Sequence, residues 1–454
     1  MEIPVEKNKE YIVEIIDNGF EGEGIAKIDN FTIFIPGTIK GEKVRVLIVK
    51  VLSSHGFGKI VEIIEKSQAR QDVDCNTYKR CGGCNLRHVK YEETLKMKQN
   101  AVQSLVNKTL KNKLQVRETV GMENPFHYRN KAQYPIGINK QGEPVIGVFA
   151  NRTHEVIPID NCLIQNKKSE EIAKFIIEFI KEKNISIYDE KTGKGLVRHI
   201  VTKVGIKTGE IMCVIVINGH KIPNENELVE NLKTKYPEIK AIVKNINMKN
   251  TNVILGQENI NLYGNGYIED ILGEYKFKIS PLSFYQVNPV QAEKLYDLGV
   301  SMAEITKNDI VFDLYCGIGT ISLFMSKFAK KVYGIEIVEE AVKMAKENAQ
   351  NNNVSNTEFF AGDVEIVLDD LINNKGLKAD VVMFDPPRKG LDKKSIDNIL
   401  NIRPKKIVYI SCNPATLIRD LADFENEYDI KTIIPVDMFP FTSHVECVAT
   451  LQLK

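Results

Sequence analysis

Hydrophobic and polar residues alternate with a period of two over much of the first 65 positions. Short β-prone runs lie between Gly-containing turns, such as Glu-Gly-Glu-Gly at 21–24 and Pro-Gly at 36–37. The runs are residues 11–16, 32–35, 43–51 and 58–63. Closely spaced short strands of this kind are typical of a barrel. The pattern predicts a small β-barrel domain over residues 1–65.

The next stretch, residues 66–280, mixes both periodicities. Residues 197–207 and 210–218 alternate around Thr208-Gly209, which predicts a β-hairpin. The spacing of apolar residues predicts helices over 91–105, 170–182 and 224–235. We expect a mixed α+β central domain.

From residue 281 to 454, apolar runs alternate with helical patterns. Strands are predicted at 310–314, 331–335, 357–360, 381–384 and 406–410, with β-prone runs at 432–436 and 446–453 closing the chain. A helix that ends at about residue 328 separates the first two strands, and a helix over 338–351 separates the second strand from the third. Strands that alternate with helices imply a parallel sheet, so the fold class is α/β.

Composition limits the possible locations and partners. With 43% hydrophobic and 27% charged residues, the 454-residue chain is an ordinary globular protein with about three domains. No apolar run has the length of a membrane span, and the charged start is no signal peptide, so we expect a cytoplasmic protein. Net charge is +1, but residues 66–131 hold 14 Lys plus Arg against 6 Asp plus Glu. That excess suits a polyanionic partner, although a solvated surface would show it too.

Three of the eight cysteines are clustered. Cys75, Cys81 and Cys84 lie close together, and Cys162 lies far downstream. A large cytosolic protein has little need of disulfides, so metal binding is the better interpretation. Four thiolates can hold zinc or an iron–sulfur cluster, and the spacing does not separate the two.

A glycine-rich turn follows the first predicted strand of the α/β region. Gly317-Ile318-Gly319 opens a helix, and Glu336 ends the next strand, where a carboxylate reaches ribose hydroxyls. Ser322 replaces the third glycine of the dinucleotide pattern, which weakens an NAD hypothesis. The arrangement resembles the S-adenosylmethionine site of Rossmann-like methyltransferases. The candidate cofactor-binding residues are Gln286, Tyr315, Thr320, Glu336, Asp363 and Asp385.

Cys412 is the candidate nucleophile. It lies just past the predicted strand 406–410, at the edge where open α/β sheets place their active crevices. A thiolate there can attack an electrophilic carbon, whereas most free cysteines only pack. The Asp-Pro-Pro-Arg run at 385–388 also follows a strand, and its prolines stiffen the loop. Amino-group methyltransferases carry an aromatic ring where this chain has Arg388, which disfavours adenine methylation.

Four motifs together resemble the RNA 5-methyluridine methyltransferases, in that family's order. They are Phe-Tyr-Gln-Val-Asn at 284–288, Asp-Pro-Pro-Arg at 385–388, Ser-Cys-Asn-Pro at 411–414 and His-Val-Glu at 444–446. Tyr285 is a departure, since Phe is common there. Residues 21–27, 35–37 and 41–44 resemble a TRAM domain, an RNA-binding barrel attached to RNA-modifying enzymes. The resemblance therefore extends over nearly the whole chain.

The resemblance implies a reaction and a partner. Cys412 would add to uracil C6, C5 would take a methyl group from S-adenosylmethionine, and Glu446 would remove the C5 proton. The Cys-Gly-Gly-Cys step at 81–84 resembles the four-iron four-sulfur (4Fe-4S) site of the ribosomal-RNA members, with Cys162 matching the fourth ligand. We therefore expect a monomeric 23S ribosomal RNA uracil-5 methyltransferase with no DNA or membrane partner.

Two alternatives remain open. A transfer-RNA uracil-5 methyltransferase would use the same chemistry, although such members commonly lack the barrel and the cluster. A non-catalytic RNA-binding or ribosome-assembly factor could keep the fold, but intact Cys412 and Glu446 argue against it.

Overall fold

The structure, a computed structural model, describes residues 3–151 and 153–454. The chain forms two compact units. The first holds the chain up to Tyr78 with residues 83–123 and 386–454, and the second holds residues 79–82 and 124–385. The division of the chain into domains at residues 65 and 280 stays a prediction.

The N-terminal barrel-like sheet belongs to the first unit. Its strands are β1 (Glu10–Glu14), β2 (Asp17–Asn18), β3 (Gly24–Ile28), β4 (Phe31–Ile35), β5 (Lys43–Val51) and β6 (His55–Glu65), in the order β1-β5-β6-β4-β3-β2. Alternate residues of β5 turn inward, and Val44, Val46 and Ile48 are fully buried. Gly24 is required, because a Cβ there would lie 1.9 Å from the Thr38 hydroxyl oxygen. The period-two pattern therefore predicted β1, β4, β5 and β6, and it missed β2 and β3.

Helix α1 (Tyr91–Thr109) also belongs to the first unit. Glu92 in its first turn and Lys108 in its last turn stabilise the helix, because each charge is opposite in sign to the partial charge of the helix dipole at that end. Its buried residues recur every four positions: Thr94, Lys98, Val102 and Val106. This face therefore carries a buried cation into the unit, and a buried charge needs a partner.

The second unit begins with a seven-stranded sheet. Its strands are β7 (Lys131–Ile138), β8 (Pro144–Phe149), β9 (Val156–Pro158), β10 (Val197–Val204), β11 (Ile211–Ile217), β12 (Ile239–Ile246) and β13 (Glu258–Tyr263), in the order β13-β12-β11-β10-β7-β8-β9. Helices α2 (Lys167–Glu182) and α3 (Glu225–Lys235) pack on one apolar core with this sheet. The predicted hairpin is confirmed as the antiparallel pair β10 and β11.

The same unit ends in a parallel α/β layer. It contains the hairpin β14 (Ile268–Leu272) and β15 (Tyr275–Ile279), α4 (Pro289–Ala303), β16 (Ile310–Leu314), α5 (Thr320–Ser326), β17 (Lys331–Glu336), α6 (Glu339–Asn351), β18 (Thr357–Ala361), α7 (Val364–Asp369) and β19 (Val381–Phe384). Within it, β18, β17, β16 and β19 pair in parallel in that order. The four predicted strands are confirmed. Their carboxyl ends share one edge of the sheet.

The C-terminal elements return to the first unit. They are α8 (Lys393–Ile402), β20 (Lys406–Ser411), α9 (Pro414–Phe424), β21 (Tyr428–Val436) and β22 (Glu446–Leu453). β22 lies between β20 and β21 and is antiparallel to both. The chain therefore closes with antiparallel strands, although strand alternation alone suggests a parallel sheet.

Candidate active site

The backbone of the turn after β16 has positive φ angles, which glycine adopts far more readily than other residues. Tyr315, Gly317 and Gly319 have φ of 66°, 53° and 80°. A Cβ on Gly319 would come within 3.0 Å of the Phe359 ring and 3.1 Å of Ala345. The turn is therefore a close-packed loop that presents backbone groups at the edge of the sheet, immediately before Thr320 begins α5.

Glu336 ties this turn to the next strand. One carboxylate oxygen accepts a hydrogen bond from the Gly317 N–H at 3.1 Å, and the other accepts one from Val338 N–H at 3.0 Å. A carboxylate offers about four acceptor positions, so Glu336 keeps capacity for ligand hydroxyls.

Two further carboxyl groups lie near the turn. Asp313 is buried and accepts a hydrogen bond from the Ser322 hydroxyl, while its Oδ1 has no hydrogen-bond partner among the described residues. Burial raises the pKa of Asp313 to about 7. The hydrogen bond from Ser322 opposes this rise, and the negative charge of Asp385 adds to it. Burial likewise raises the pKa of Asp385 to about 7. An unpartnered buried oxygen beside a second carboxyl group favours a ligand that donates hydrogen bonds or carries positive charge.

The remaining cofactor candidates have local roles as well. Asp363 caps α7, accepting a hydrogen bond from Glu365 N–H at 3.0 Å. Gln286 precedes α4, and its backbone carbonyl accepts a hydrogen bond from the Asn130 side chain at 3.0 Å. Asn130 also donates its own N–H to the Val287 carbonyl at 2.9 Å. Sequence reasoning missed Asn130, which anchors the Gln286 segment from 156 positions away, and no local pattern signals it.

Cys412 and Glu446 are both in the first unit, at the ends of paired strands. The antiparallel register of β20 and β22 runs up to Ser411 opposite Cys447. Cys412 directly follows Ser411, and Glu446 directly precedes Cys447, so both residues lie next to the last pair of this register. Residues directly opposite in antiparallel strands share a face, with Cα atoms about 5 Å apart. Cys412 is partly exposed, whereas Glu446 is buried.

The loop after Pro386 is anchored to α9. The carbonyl oxygen of Arg388 accepts hydrogen bonds from the Asn413 side chain at 3.1 Å and the Thr416 hydroxyl at 3.3 Å. Asp420, buried on α9, accepts the Leu391 N–H at 2.8 Å. Asn413 is also the N-cap of α9. The residue after Cys412 therefore links the thiol-bearing turn to the proline-rich loop.

A buried ion pair holds the segment that leads into Glu446. Lys98 donates to Asp437 Oδ1 at 2.5 Å and to the Phe439 carbonyl at 3.2 Å, and the Tyr91 hydroxyl donates to Asp437 Oδ2 at 2.8 Å. Lys98 and Asp437 are 2% and 0% exposed, so neither charge is solvated. Desolvation lowers the pKa of Lys98, and the charge of Asp437 opposes that shift. Sequence reasoning missed this pair, because its members are 339 positions apart.

Residues just after the clustered cysteines pack on the same segment. Leu86 N–H donates to the Phe441 carbonyl at 2.9 Å, and the Arg87 guanidinium lies 4.0 Å from the centre of the Phe441 ring. The Asn85 amide exchanges hydrogen bonds of 2.9 and 3.0 Å with Ser443. The stretch that follows Cys84 thus supports the approach to β22.

The four cysteines predicted to bind a cluster are divided between the units. Cys75 and Cys84 belong to the first unit, and Cys81 and Cys162 to the second. Burial raises the pKa of the Cys162 thiol, and the backbone N–H groups of Ile164 and Gln165 oppose that rise. Among residues 3–151 and 153–454, no three His, Cys, Asp or Glu side chains converge as a metal site. The structure therefore does not support the predicted iron–sulfur cluster.

Comparison with known proteins decides the family. The family described as tRNA (Uracil-5-)-methyltransferase matches residues 90–454, and the TRAM domain matches residues 4–61. The chain belongs to the tRNA (uracil-5-)-methyltransferase family. An uncharacterized RNA methyltransferase of Clostridium acetobutylicum is 49% identical, covering 99% of this chain and 98% of that protein. One of Halalkalibacterium halodurans is 44% identical over the same shares.

A solved structure resembles the whole fold. The crystal structure of Pyrococcus abyssi tRNA (uracil-54, C5)-methyltransferase in complex with S-adenosyl-L-homocysteine has a TM-score of 0.77 and 26% identity, covering 98% of this chain and 100% of that chain. The predicted α/β fold, with a Rossmann-like methyltransferase domain and an N-terminal TRAM domain, is confirmed. So is the class of protein, an S-adenosylmethionine-dependent RNA methyltransferase. In the part of the chain that the structure describes, no helix is long and apolar enough to span a bilayer.

Proposed function

We propose that this enzyme methylates C5 of a uridine in large-subunit (23S) ribosomal RNA. The observation that supports the chemistry is the β20–β22 register, whose last pair is Ser411 and Cys447, directly next to Cys412 and Glu446. A nucleophile and a base that face one pyrimidine ring must lie within a few ångströms of each other, and residues next to one cross-strand pair meet that requirement.

Cys412 begins the reaction on the uracil ring. Its thiolate adds to C6, so that electrons move onto C5 and make that carbon nucleophilic. S-adenosylmethionine, when bound, would supply the electrophilic methyl group to C5 and leave as S-adenosylhomocysteine. Glu446 then takes the C5 proton, the C6–S bond breaks, and the electron pair returns to the Cys412 sulfur. The N-terminus of α9, two positions after Cys412, stabilises negative charge on that sulfur.

The turn after β16 and Glu336 are the proposed cofactor cradle. Glu336 would bind the ribose hydroxyls, as carboxylates at this position of a nucleotide-binding sheet do. Gln286, Tyr315, Thr320, Asp363 and Asp385 complete the proposed set. Asp313, with its unpartnered Oδ1, would accept from a cationic group of the same ligand.

Transfer RNA is the second candidate substrate. The solved Pyrococcus relative is named for tRNA, and its alignment covers 98% of this chain. Our expectation that the N-terminal barrel weighs against tRNA therefore loses its force. The cysteines at 75, 81, 84 and 162, which resemble those of the ribosomal-RNA members, are what support rRNA.

The deciding experiment is methyl transfer from labelled S-adenosylmethionine to unmodified 23S rRNA and to tRNA transcripts, with the product nucleotide mapped. We expect 5-methyluridine in rRNA alone. Label in tRNA alone would replace the substrate and keep the chemistry. No transfer to either RNA would contradict the proposal.

Variants separate the two catalytic roles. Cys412→Ala should abolish transfer. Glu446→Gln should slow turnover by about 10²- to 10⁴-fold and leave a covalent protein–RNA adduct, since the C5 proton stays in place. Cys447→Ala is the matched control, because Cys447 is buried opposite Ser411 and neighbours Glu446 without the proposed chemistry. Full activity of Cys412→Ala would disprove the mechanism.

The 4Fe-4S cluster is a separate proposal, with Cys75, Cys81, Cys84 and Cys162 as ligands. Its support is the family resemblance and the two N–H groups aimed at Cys162, since hydrogen bonds to sulfur are typical of such sites. Anaerobically purified protein should contain four irons and four sulfides per chain. Stoichiometric zinc, or no metal, would disprove it. Sedimentation equilibrium and cell fractionation would test a monomeric, cytoplasmic enzyme.

A further inference from the structure

We propose that Lys203 is a positioning residue for the proposed cofactor cradle, because its buried ammonium fixes the Gln286 segment, residues 280–287, before the cofactor binds. The inference rests on the proposed function, in which Gln286 belongs to that cradle. It adds a residue of the central sheet that none of the sequence motifs includes. Lys203 lies on β10 and the segment leads into α4, so all of these contacts are within the second unit.

The Lys203 ammonium closes a turn at the start of the Gln286 segment. The side chain is 4% exposed, and Nζ donates to the carbonyl oxygens of Ser280 at 2.7 Å and Ser283 at 2.9 Å. The two serines also bond each other, since each backbone N–H donates to the hydroxyl oxygen of the other, at 2.9 and 3.2 Å. The turn therefore brings two carbonyl oxygens to one cation.

The positive charge of Lys203 strengthens these two bonds. Lys131 lies directly opposite on β7 and carries the same charge. Burial and the charge of Lys131 together lower the pKa of Lys203 to about 7. A buried cation costs free energy unless its hydrogen bonds compensate, and bonds from an ionised donor are about twice as strong as neutral ones. The ammonium and the two carbonyl oxygens therefore depend on each other.

A neighbouring residue holds the other end of the Gln286 segment. The Asn130 side chain donates to the Gln286 carbonyl at 3.0 Å. The carbonyl of Asn130 in turn accepts the N–H of Val204, the residue after Lys203, at 2.8 Å. Lys203 and Asn130 thus act from adjoining strand ends, one on the first half of the segment and one on the second.

Apolar packing contributes little to the middle of the segment. Leu282 and Phe284 are 45% and 73% exposed, whereas Tyr285 is buried and donates its hydroxyl to Asp270 at 3.3 Å. Segments with few buried apolar contacts open locally at a low free energy. The hydrogen bonds of Lys203 therefore control how large a fraction of the molecules has this segment ordered.

The ordered fraction sets the affinity of any ligand that binds only the ordered segment. When that fraction falls, the apparent Kd rises in inverse proportion. Gln286 lies three residues after the turn that Lys203 closes, so its position depends on that turn. Lys203 would thus act on the cofactor through Gln286, without a contact of its own.

The first test is hydrogen–deuterium exchange of the full-length protein, followed by mass spectrometry of peptides that cover residues 280–288. Lys203→Met should accelerate exchange there about 10- to 100-fold, as expected when hydrogen bonds from a charged donor are lost. Lys131→Met is the matched control, because it removes the neighbouring cation but neither hydrogen bond, and it should not accelerate exchange. Unchanged exchange in Lys203→Met, or equal acceleration in peptides from α2, would overturn the proposal.

The second test is calorimetric titration with S-adenosylhomocysteine, which requires no RNA. Lys203→Met should raise the Kd about tenfold, because the ordered segment becomes a minor population. Lys203→Arg keeps the charge and the donors, so it should restore most of the lost affinity. In methyl transfer, Lys203→Met should raise the KM for S-adenosylmethionine and keep kcat. Wild-type affinity of Lys203→Met for S-adenosylhomocysteine would overturn the proposal.

These measurements separate the positioning role from the proposed function. If the wild-type protein methylates no uridine but Lys203→Met still loosens the segment and weakens S-adenosylhomocysteine binding, the proposed function fails and the role of Lys203 stands. If uridine is methylated but exchange and binding are unchanged in Lys203→Met, the proposed function stands and the role of Lys203 is disproved.

Discussion

The buried pair between Lys98 and Asp437 allows a quantitative test of how Glu446 is positioned. Asp437 directly follows β21, and Lys98 bonds both its carboxylate and the Phe439 carbonyl. These contacts fix the start of the segment that ends at Glu446. Replacing Lys98 by Met keeps most of the side-chain volume but removes the charge and both hydrogen bonds.

The expected cost is large because the remaining charge stays buried. Removing one partner of a buried ion pair typically destabilises a protein by about 3–5 kcal/mol, whereas an exposed pair contributes about 0–1 kcal/mol. Lys98→Met and Asp437→Asn should each lie near the first range. The double variant should cost less than the sum of the two, since no unpaired charge remains.

Urea unfolding measures this effect. The chain contains no Trp and 16 Tyr, so tyrosine fluorescence is the natural probe. Lys96→Met is the matched control, because Lys96 lies on the same helix and forms an exposed pair with Glu93. Lys98→Met should also lower kcat, since Glu446 loses its support. A loss below about 1 kcal/mol with full kcat would refute the reasoning.

Three further predictions concern the second unit. The folded pKa of Asp313, about 7, exceeds its ordinary value of 3.8. The unfolded chain therefore binds fewer protons between these pH values, and stability should fall by up to about 4 kcal/mol as pH rises from 4 to 7. Asp313→Asn should make the free energy of unfolding, measured by urea titration, depend less on pH. An unchanged pH dependence would contradict the raised pKa of Asp313. Gly319→Ala should cost about 1–2 kcal/mol from φ alone and displace the Phe359 ring, so calorimetry should show weaker binding of S-adenosylhomocysteine; equal affinity would argue against the cradle. Asn130→Ala should raise the KM for S-adenosylmethionine with little change in melting temperature, because it frees the Gln286 segment, and an unchanged KM would show that this anchor is dispensable.

Much of the fold follows from local periodicity. The strand at 310–314, the glycine turn and the helix 338–351 repeat a short pattern that sequence alone reveals. The same pattern places Tyr315 and Glu336 at the edge of a sheet. By contrast, the strands β12 and β13 went unpredicted in the central region, where helical and strand patterns mix over short stretches.

The sequence could not predict the long-range contacts that support the candidate site. From the sequence, Lys98 is one of several polar residues of an amphipathic helix. Only the fold shows that it lies on the buried face of that helix. Asn130 bonds a backbone segment 156 positions away, a contact that carries no side-chain signature. Long-range anchors of this kind depend on tertiary packing, whereas a nucleophile after a strand and a carboxylate at a strand end are local features.

The register between β20 and β22 supports the proposal that two residues 34 positions apart, Cys412 and Glu446, act as one site. Side chains alternate between the faces of a strand, so a slip of one residue would turn Glu446 away from the face of Cys412 and bring Cys447 into its place. Cys447 is a buried thiol whose pKa is raised by burial, and it could not accept a proton as a carboxylate does. The contacts of Lys98 with Asp437 and of Asn85 with Ser443 hold the connecting segment at two points. Because these contacts restrain the chain between β21 and β22, they oppose that slip, and the stretch after Cys84 thereby supports the proposed catalytic site.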